Sequence, residues 1–536
     1  MATEDKELGV VITDVSKLSE KIEEQNNIIS KGGSVDDYLY EKRPWWKVNY
    51  LVRLNFCIFL ITLSSTNNGY DGSMLNGLQS VSYWPEKMGN PQGSVLGALS
   101  NGNVFGVVLS FVCASWLADK FGRWRCIFVG QTITILGSIL QGVSTNYGFF
   151  LASRIILGFG VGIAGVSSPS LISELAYPTH RATATTFYNV CWYLGAIIAA
   201  WVTYGTLNIE NDYSWRIPSY LQAALPCLQI AFFWMVPESP RYLINKDRIS
   251  DAEKVLRKFH AGGETHERAN DLVSFEIEEI QAALEIEKLS SNSRYSDFIT
   301  MPTFRKRLFL AVFVAVIMQL SGNGLVSYYL NKVLNSIGIT DPHEQLKING
   351  CLMVYNLVIS SVVASVAGRF KRRSMFLICT ILMLVFYVIW TILSAINQQR
   401  NFEQKSLGNG VIAMIFFYYL AYDIGANGLP FLYITEIMPY SHRAKGMNIF
   451  TVSQNIIIIF NGFVNPIAMD AIEWKYYIVY CCILAVEVIT VLFTFVETSA
   501  YTLEEVAKVF GDDPGQTLIH LSSAPPKPEV GHIETV

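Results

Sequence analysis

Four ionisable side chains stand inside long apolar stretches of the chain, where a charge needs a partner: Asp71, Arg154, Asp423 and Glu487. Each is a functional candidate, because burying a charge in lipid costs several kcal/mol unless it is paired or hydrated. Asp71 and Arg154 carry opposite charges in different stretches, which predicts a contact between them. Protonation of Asp71 would then break the pair, as in a proton-driven switch; a static structural ion pair is the alternative. Glu487 has no evident partner and is interpreted as an inward-facing or snorkelling side chain.

Amide side chains are the second unusual feature of the apolar stretches. Gln319, Asn323 and Ser327 follow one another at i, i+4 and i+8, which places them on one face of a helix. Amides carry a donor and an acceptor together and suit the hydroxyl groups of a neutral ligand. The alternative is that they only bond helix to helix. The other candidates for such a polar cavity are Asn189, Asn356, Gln454 and Asn455, with Tyr328 and Phe431 as aromatic surfaces.

Acidic and basic residues also recur where certain apolar stretches end. Glu174 is followed by Arg181, and Glu436 is followed by Arg443. We expect ion pairs among such residues to close one side of the protein, and pairs of this kind hold one conformation and break in another. The residues of this expected gate are Asp119, Arg123, Glu174, Arg181, Glu436 and Arg443.

The composition predicts the elements that position these side chains. Of the 536 residues, 51% are hydrophobic and only 16% are charged, against roughly a quarter charged in soluble proteins. Of the 84 charged residues, 51 lie in 1–47, 237–307 and 497–536, so the rest of the chain is suited to lipid. Twelve apolar stretches are long enough to cross a bilayer. They lie at about 51–78, 94–117, 125–145, 149–173, 183–206, 216–236, 306–333, 347–367, 374–396, 409–435, 444–466 and 474–496.

Lys and Arg are concentrated in the loops that follow even-numbered stretches, which predicts that these loops and both termini are cytoplasmic. The expected organisation is an N-terminal tail (1–47), a six-helix half (48–236), a cytoplasmic helical segment (237–305), a second six-helix half (306–496) and a C-terminal tail (497–536). Within the cytoplasmic segment, 249–260 and 273–288 have the spacing of amphipathic helices. The N-terminal tail and the chain after about Gly511 are predicted to be disordered. The first apolar stretch is expected to act as the insertion signal.

The two halves repeat one another. The segment 173–182 recurs at 435–444, an offset of 262 residues, and 236–240 has an echo at 495–499. A repeat of six spans keeps its orientation, so the halves should be related by an axis along the membrane normal, with a site between them near the midplane.

Several classes of function are excluded by the sequence. A net charge of −4 indicates no nucleic-acid partner. The nine cysteines are scattered and suit neither a disulfide framework nor a metal site. No nucleotide-binding loop or nucleophile motif is present, so we expect no cofactor and no enzymatic activity.

In combination, these motifs resemble the sugar porter family of the major facilitator superfamily over about 48–510. The resemblance rests on 119–125 (DKFGRWR), Arg154 with Gly158 and Gly160, 174–181, and above all 237–243 (PESPRYL). It implies an all-α membrane protein with twelve transmembrane helices in two halves. It also implies proton coupling at Asp71 with Arg154, and sugar contacts at Asn189, Gln319, Asn356 and Gln454.

Within that family the chain is most similar to fungal lactose permeases, through 321–330 (SGNGLVSYYL) and 204–206. It departs from the family in the second-half loop 368–373, which lacks the acid and the glycine, so we expect an incomplete ion-pair network there. It also has Phe431 and Asn455 where many hexose carriers have Trp. The reduced bulk predicts a reshaped site and a disaccharide such as lactose or cellobiose.

The sequence therefore predicts a monomeric, multi-pass carrier of the plasma membrane that imports a neutral sugar with a proton by alternating access. A transporter-like sugar sensor and an exporter of a fungal metabolite are the alternatives. The C-terminal tail of about 40 residues is short for a sensor.

Overall fold

The computed structural model describes residues 38–39, 41, 43–289, 294–366, 370–439, 442–499, 506 and 510–511. Its regular elements, within these residues, are all helical. The segments predicted to be disordered, the N-terminal tail and the chain after Gly511, lie almost entirely outside the described residues.

The N-terminal half contains nine α-helices: α1 (Asn49–Leu78), α2 (Tyr83–Lys87), α3 (Gly93–Phe111), α4 (Ala114–Phe121), α5 (Arg123–Val143), α6 (Tyr147–Leu175), α7 (Arg181–Thr206), α8 (Tyr213–Leu221) and α9 (Ala224–Phe232). They build six spans, and the short α2 lies between the first and the second. Two spans are interrupted: the second, made of α3 and α4, near Val112, and the sixth, made of α8 and α9, near Gln222.

Four helices follow as an insert between the halves: α10 (Pro240–Asn245), α11 (Ile249–Phe259), α12 (Glu267–Leu289) and α13 (Asp297–Thr300). The amphipathic spacing in the sequence produces α11 and α12, whose apolar residues Leu256, Ala269 and Val273 share a small core. We call the end of the helical bundle that carries this insert the insert side, and the opposite end the far side.

The C-terminal half also builds six spans, and the first and the fourth are interrupted. The helices are α14 (Pro302–Gln319), α15 (Asn323–Asn335), α16 (Pro342–Val366), α17 (Arg372–Gln399), α18 (Lys405–Gly425), α19 (Leu429–Ile437), α20 (Arg443–Ile472) and α21 (Tyr476–Thr494). The predicted architecture of twelve spans in two six-helix halves is confirmed.

By length and apolar composition, nine helical stretches of the described residues qualify as membrane spans, and one of them, Arg443–Thr494, contains both α20 and α21. The remaining two spans are α1 and the pair α8–α9. α1 has 30 residues but buries many polar side chains. α8 and α9 have nine residues each, because their span is interrupted. Polar burial and helix breaks, rather than missing helices, therefore account for the lower number.

Backbone-to-backbone contacts at glycines position the polar residues of α1. A Cβ atom on Gly195 of α7 would lie 1.7 Å from the Thr66 carbonyl oxygen, and one on Gly69 would lie 1.8 Å from the Trp192 carbonyl oxygen. Only glycine fits at such approaches, as is common between membrane helices. The α1–α7 contact holds the polar segment that contains Asp71 in the interior of the bundle.

Candidate functional site

The predicted charge pair is present in the N-terminal half. Asp71 of α1 and Arg154 of α6 are 0% and 2% exposed. Arg154 Nη1 donates to Asp71 Oδ1 at 3.1 Å and Arg154 Nη2 donates to Asp71 Oδ2 at 3.2 Å, so the contact is bidentate. Asn103 of α3 donates to Asp71 Oδ2 at 2.5 Å, and Gln222 donates to Oδ1 at 2.8 Å. Four donors from three neighbouring elements therefore converge on one carboxylate.

Glycines in α6 make this convergence possible. A Cβ atom on Gly158 would lie 2.0 Å from the Asn103 carbonyl oxygen, so α3 and α6 approach backbone to backbone. This approach brings Asn103 within reach of Asp71, and Gly102 lies against the Arg154 side chain in the same way. The glycine-rich sequence after Arg154 is therefore a requirement of the charge site.

The predicted polar face of the seventh span is not continuous. Gly322 has φ 102°, a left-handed conformation that glycine adopts freely, and it separates α14 from α15. Gln319 and Asn323 are therefore on different helices, and the expectation of a single i, i+4, i+8 face is wrong. Asn323 donates to Tyr422 Oη at 3.1 Å, and Ser327 shares a hydrogen bond with Tyr419 Oη at 2.8 Å.

Four buried amides have no hydrogen-bond partner among the described residues at either side-chain atom: Asn67, Gln141, Asn349 and Asn356. Asn356 was predicted as a ligand contact and is 0% exposed. Asn349 precedes it by seven residues on the same face of α16. Sequence reasoning missed Asn67, although it stands four residues before Asp71 on α1. Buried amides normally have partners, so these groups indicate where a polar ligand or water binds.

The remaining predicted contacts do not join one cluster. Asn455 is half-buried and donates to the Thr451 carbonyl oxygen of its own helix at 2.8 Å. Phe431 packs edge-on against Phe450 with ring centroids 5.2 Å apart. Asn189 is exposed near the insert-side end of α7, and Gln454 and Tyr328 are half-buried.

Hydrogen bonds between neutral groups join the two halves toward the far side, a feature the sequence reasoning missed. Gln79 donates to the Tyr328 carbonyl oxygen at 2.8 Å, and Asn76 accepts from the Leu330 N–H at 3.1 Å. Ser80 donates to Gln345 at 3.0 Å. The only signal in the sequence was the run of polar residues at the end of the first span. These bonds hold the far-side ends of α1, α15 and α16 together.

An inter-half contact that involves an acid lies deeper in the bundle. Tyr193 of α7 donates to Asp423 Oδ1 of α18 at 2.9 Å, and Asn427 donates to the same oxygen at 3.0 Å. Asp423 is 2% exposed. The ionisable residue singled out in this span therefore lies at the contact between the halves.

The expected gate residues form two similar networks, each within one half. In the N-terminal half, Arg123 pairs with Glu174 at 3.3 Å, and Ser239 donates to Glu174. Glu238 accepts from the N–H groups of Arg123 and Trp124 at 3.0 and 3.1 Å. Burial raises the pKa of Glu238, although these N–H bonds act in the opposite direction.

The C-terminal half contains the corresponding contacts. Arg372 pairs with Glu436 at 3.3 Å, Thr498 donates to Glu436, and Glu497 accepts from the N–H groups of Arg372 and Arg373 at 2.8 and 3.2 Å. These links form without the acid that loop 368–373 lacks, because they use the start of α17 and Glu497, so the expected gap is limited to the position of Asp119.

Two details of the predicted gate also differ from the structure. Glu174 pairs with Arg123 rather than with Arg181, which is exposed at the start of α7. Glu436 pairs with Arg372, and Arg443 begins α20. Asp119 contacts Arg123 at 3.4 Å but is 70% exposed, and the position corresponding to it in the second half is Gly368. The networks thus stabilise each half on the insert side.

Histidines attach the insert to both halves. His260 Nε2 lies 3.1 Å from the carbonyl oxygen of Leu175, at the end of α6, and Nδ1 lies 2.8 Å from Glu276. Burial lowers the pKa of His260, but Glu276 and the Leu175 carbonyl outweigh this effect, so the pKa is raised. His442, at the start of α20, contacts Asp297 at 3.0 Å, and there burial dominates and lowers the pKa.

Comparison with known proteins defines the class. Residues 57–510 match the family model described as "Sugar (and other) transporter", and the chain belongs to this family. It is 27% identical to the low-affinity glucose transporter HXT3 of Saccharomyces cerevisiae over 86% of this chain and 82% of that protein. It is 28% identical to hexose transporter 2 of Kluyveromyces lactis over 89% and 85%.

Solved structures share the fold. The inward open conformation of the xylose transporter XylE from E. coli superposes with a TM-score of 0.69, at 20% identity, over 85% of this chain and 99% of that chain. The chain is therefore a multi-pass membrane transporter of the sugar porter type and not an enzyme. The specific resemblance to lactose permeases gains no support, because these relatives are glucose and hexose transporters.

Proposed function

We propose that this protein imports a neutral sugar together with a proton, by alternating access. The observation that carries the proposal is the Asp71–Arg154 pair. The Asp71 carboxylate is fully buried and is held by one guanidinium and two amides, and a buried ion pair is costly compared with well-packed apolar side chains at the same depth. A group that accepts and releases a proton during each cycle explains the cost.

The Lys- and Arg-rich loops support an orientation with the insert side in the cytoplasm. The far-side hydrogen bonds of Asn76, Gln79 and Ser80 would then close the outside of the protein. The two ion-pair networks keep each half rigid on the cytoplasmic side, so the halves move as bodies. Protonation of Asp71 removes its attraction to Arg154, and α1 becomes free to shift against α6.

The unpartnered amides support a polyhydroxylated ligand. Leaving a buried donor or acceptor unsatisfied costs about 1–3 kcal/mol, and the hydroxyl groups of a sugar satisfy donor and acceptor at once. Asn67 of α1 and Asn356 of α16 come from opposite halves, as a site between the halves requires. Relatives named for glucose and hexose make a hexose the first substrate to test.

Transport into proteoliposomes tests the proposal. The purified protein is supplied with labelled D-glucose, D-xylose, lactose or cellobiose, with and without an inward proton gradient. We expect accumulation above the external concentration only with the gradient. Asn356→Ala should weaken transport, whereas the matched variant Asn455→Ala, whose amide bonds its own helix, should have a smaller effect.

The same panel separates the alternatives. Transport of hexoses alone would show that the disaccharide prediction is wrong, while preference for lactose or cellobiose would support it. Equilibration without accumulation would indicate a facilitator. Binding without transport would favour a sensor, and failure with every sugar would favour an exporter of another compound. We further propose a plasma-membrane location and a functional monomer, to be tested by microscopy of a tagged protein and by its mass in detergent.

A further inference from the structure

A second buried acid, Glu487 of α21, contacts the break in the seventh span. Glu487 is 1% exposed and Ser321 is 0% exposed. Both carboxyl oxygens approach Ser321 Oγ, at 3.2 and 3.0 Å. Ser321 directly precedes Gly322, whose left-handed conformation separates α14 from α15. The carboxyl group therefore lies against the break between the two helices.

The number of hydrogens at Ser321 determines the protonation state that fits this contact. The hydroxyl has one hydrogen, and it also contacts the Ile317 carbonyl oxygen, which can only accept. If Glu487 is ionised, the hydroxyl faces acceptors on both sides and can satisfy only one of them. If Glu487 is protonated, its O–H donates to Ser321 Oγ, and Ser321 donates to Ile317. The protonated acid satisfies both contacts.

Among the residues that the structure describes, no countercharge contacts Glu487. The electrostatic neighbours on the adjacent helices are Tyr418 of α18 and Cys379 of α17, and none of the ion pairs of the described residues involves Glu487. Asp71 differs in this respect, because Arg154 contacts it directly. An unpaired charge buried among these helices would cost several kcal/mol.

The N-terminal half has a neutral side chain at the contact between its first and last helices. There Ser64 of α1, the first helix of that half, contacts Gln229 of α9, the last one. The Gln229 amide donates to Ser64 Oγ at 3.1 Å. The contact between the first and last helices of a half is thus made by a neutral donor in one half and by a carboxylic acid in the other. Only the acid can change its charge.

We propose that Glu487 is a second proton-carrying carboxyl group of the transport cycle, and that its protonated form holds the α14–α15 break in the conformation seen here. This inference rests on the proposed function. Loss of the proton to water turns the Ser321 hydroxyl toward the carboxylate and away from Ile317. The last turn of α14 then loses a bond to one of its terminal carbonyl groups, and the new charge favours a conformation in which water reaches the break.

Infrared spectroscopy of the reconstituted protein tests the protonation state without any transport assay. The wild type should show the C=O stretching band of a protonated carboxyl group, and Glu487→Gln should lack it. Ser321→Ala should shift this band to higher frequency, because the carboxyl group loses its partner. Asp423→Asn, which removes another buried acid without a paired arginine, is the matched control and should retain the Glu487 band. A carboxyl band that is unchanged in Glu487→Gln would overturn the proposal.

Exchange of labelled D-glucose in the Asp71→Asn background then tests the role in the cycle. Exchange needs no net proton movement, so the pH dependence that remains reports other titrating groups. We expect Glu487→Gln to abolish the remaining dependence, because the amide donates to Ser321 at every pH. An unchanged dependence would overturn the role of Glu487. If the wild type moves no sugar while the infrared band is assigned to Glu487, the proposed function fails and the protonation site stands.

Discussion

Replacement of Asp71 by Asn gives the sharpest test of proton coupling, because the structure defines what the substitution removes. The carboxylate receives four donors, two from Arg154 and one each from Asn103 and Gln222. Asn keeps one acceptor oxygen and presents an NH₂ group in place of the other. That NH₂ group would face donors, so at least the bonds to one oxygen are lost together with the charge.

The magnitude follows from the burial of the pair. Removing one partner of a buried ion pair costs about 3–5 kcal/mol, because the other charge remains uncompensated. Arg154 is 2% exposed and its Nε atom already has no partner among the described residues, so it has little means of compensation. At about 1.4 kcal/mol per tenfold change, the population of conformations that contain this pair should fall by roughly 10²- to 4 × 10³-fold relative to others.

The assay compares two modes in the same proteoliposomes. With a proton gradient, Asp71→Asn should equilibrate sugar without accumulating it, because the coupling group can no longer change its charge. Exchange of labelled against unlabelled sugar should persist. Asp212→Asn, which removes partly exposed ion pairs with Lys87 and Arg216 at 3.4 and 3.3 Å, is the control and should still accumulate sugar. Accumulation by Asp71→Asn at the wild-type level would refute the assignment of Asp71 as the coupling site.

Three further predictions concern the insert, the ion-pair networks and the helix packing. Because the pKa of His260 is raised in the folded protein, its stabilising contribution is complete below the ordinary histidine pKa and is lost as pH rises through the raised value. The melting temperature should therefore fall across that window in the wild type but not in His260→Ala; parallel curves would contradict this. Arg372→Ala leaves Glu436 without its ion-pair partner, so it should slow sugar exchange and increase cysteine labelling from the insert side. Arg181→Ala, at an exposed position, is the control and should change neither. Equal effects of the two substitutions would argue against the network. Gly195→Leu should prevent the α1–α7 contact and lower the yield of folded protein, measured by size-exclusion chromatography, and a normal yield would show that the helices can separate.

The sequence was sufficient for features that follow from the cost of charge in lipid. Charged residues are so sparse in the apolar stretches that Asp71 and Arg154 had few possible partners other than each other, and their contact could be predicted. The twelve spans and the two halves follow from hydropathy and from the repeated segments. The roles of these residues remain predictions, as do the sugar contacts at Asn189, Gln454 and Asn455.

Only the tertiary structure decided which side chains meet across the helices. Glu487 and Ser321 are 166 residues apart, and their contact depends on how α21 is rotated against the break after α14. The break itself removed the continuous face expected from Gln319 and Asn323, since one left-handed glycine redirects the chain. Hydropathy indicates that a helix lies in the membrane, but it does not define how the helix is rotated about its axis. That rotation is set by packing against all of the neighbouring helices. The sequence by itself therefore determined the membrane fold and its charge pair, and the packed structure determined the contact of Glu487 with Ser321, the far-side contacts and which amides lack partners.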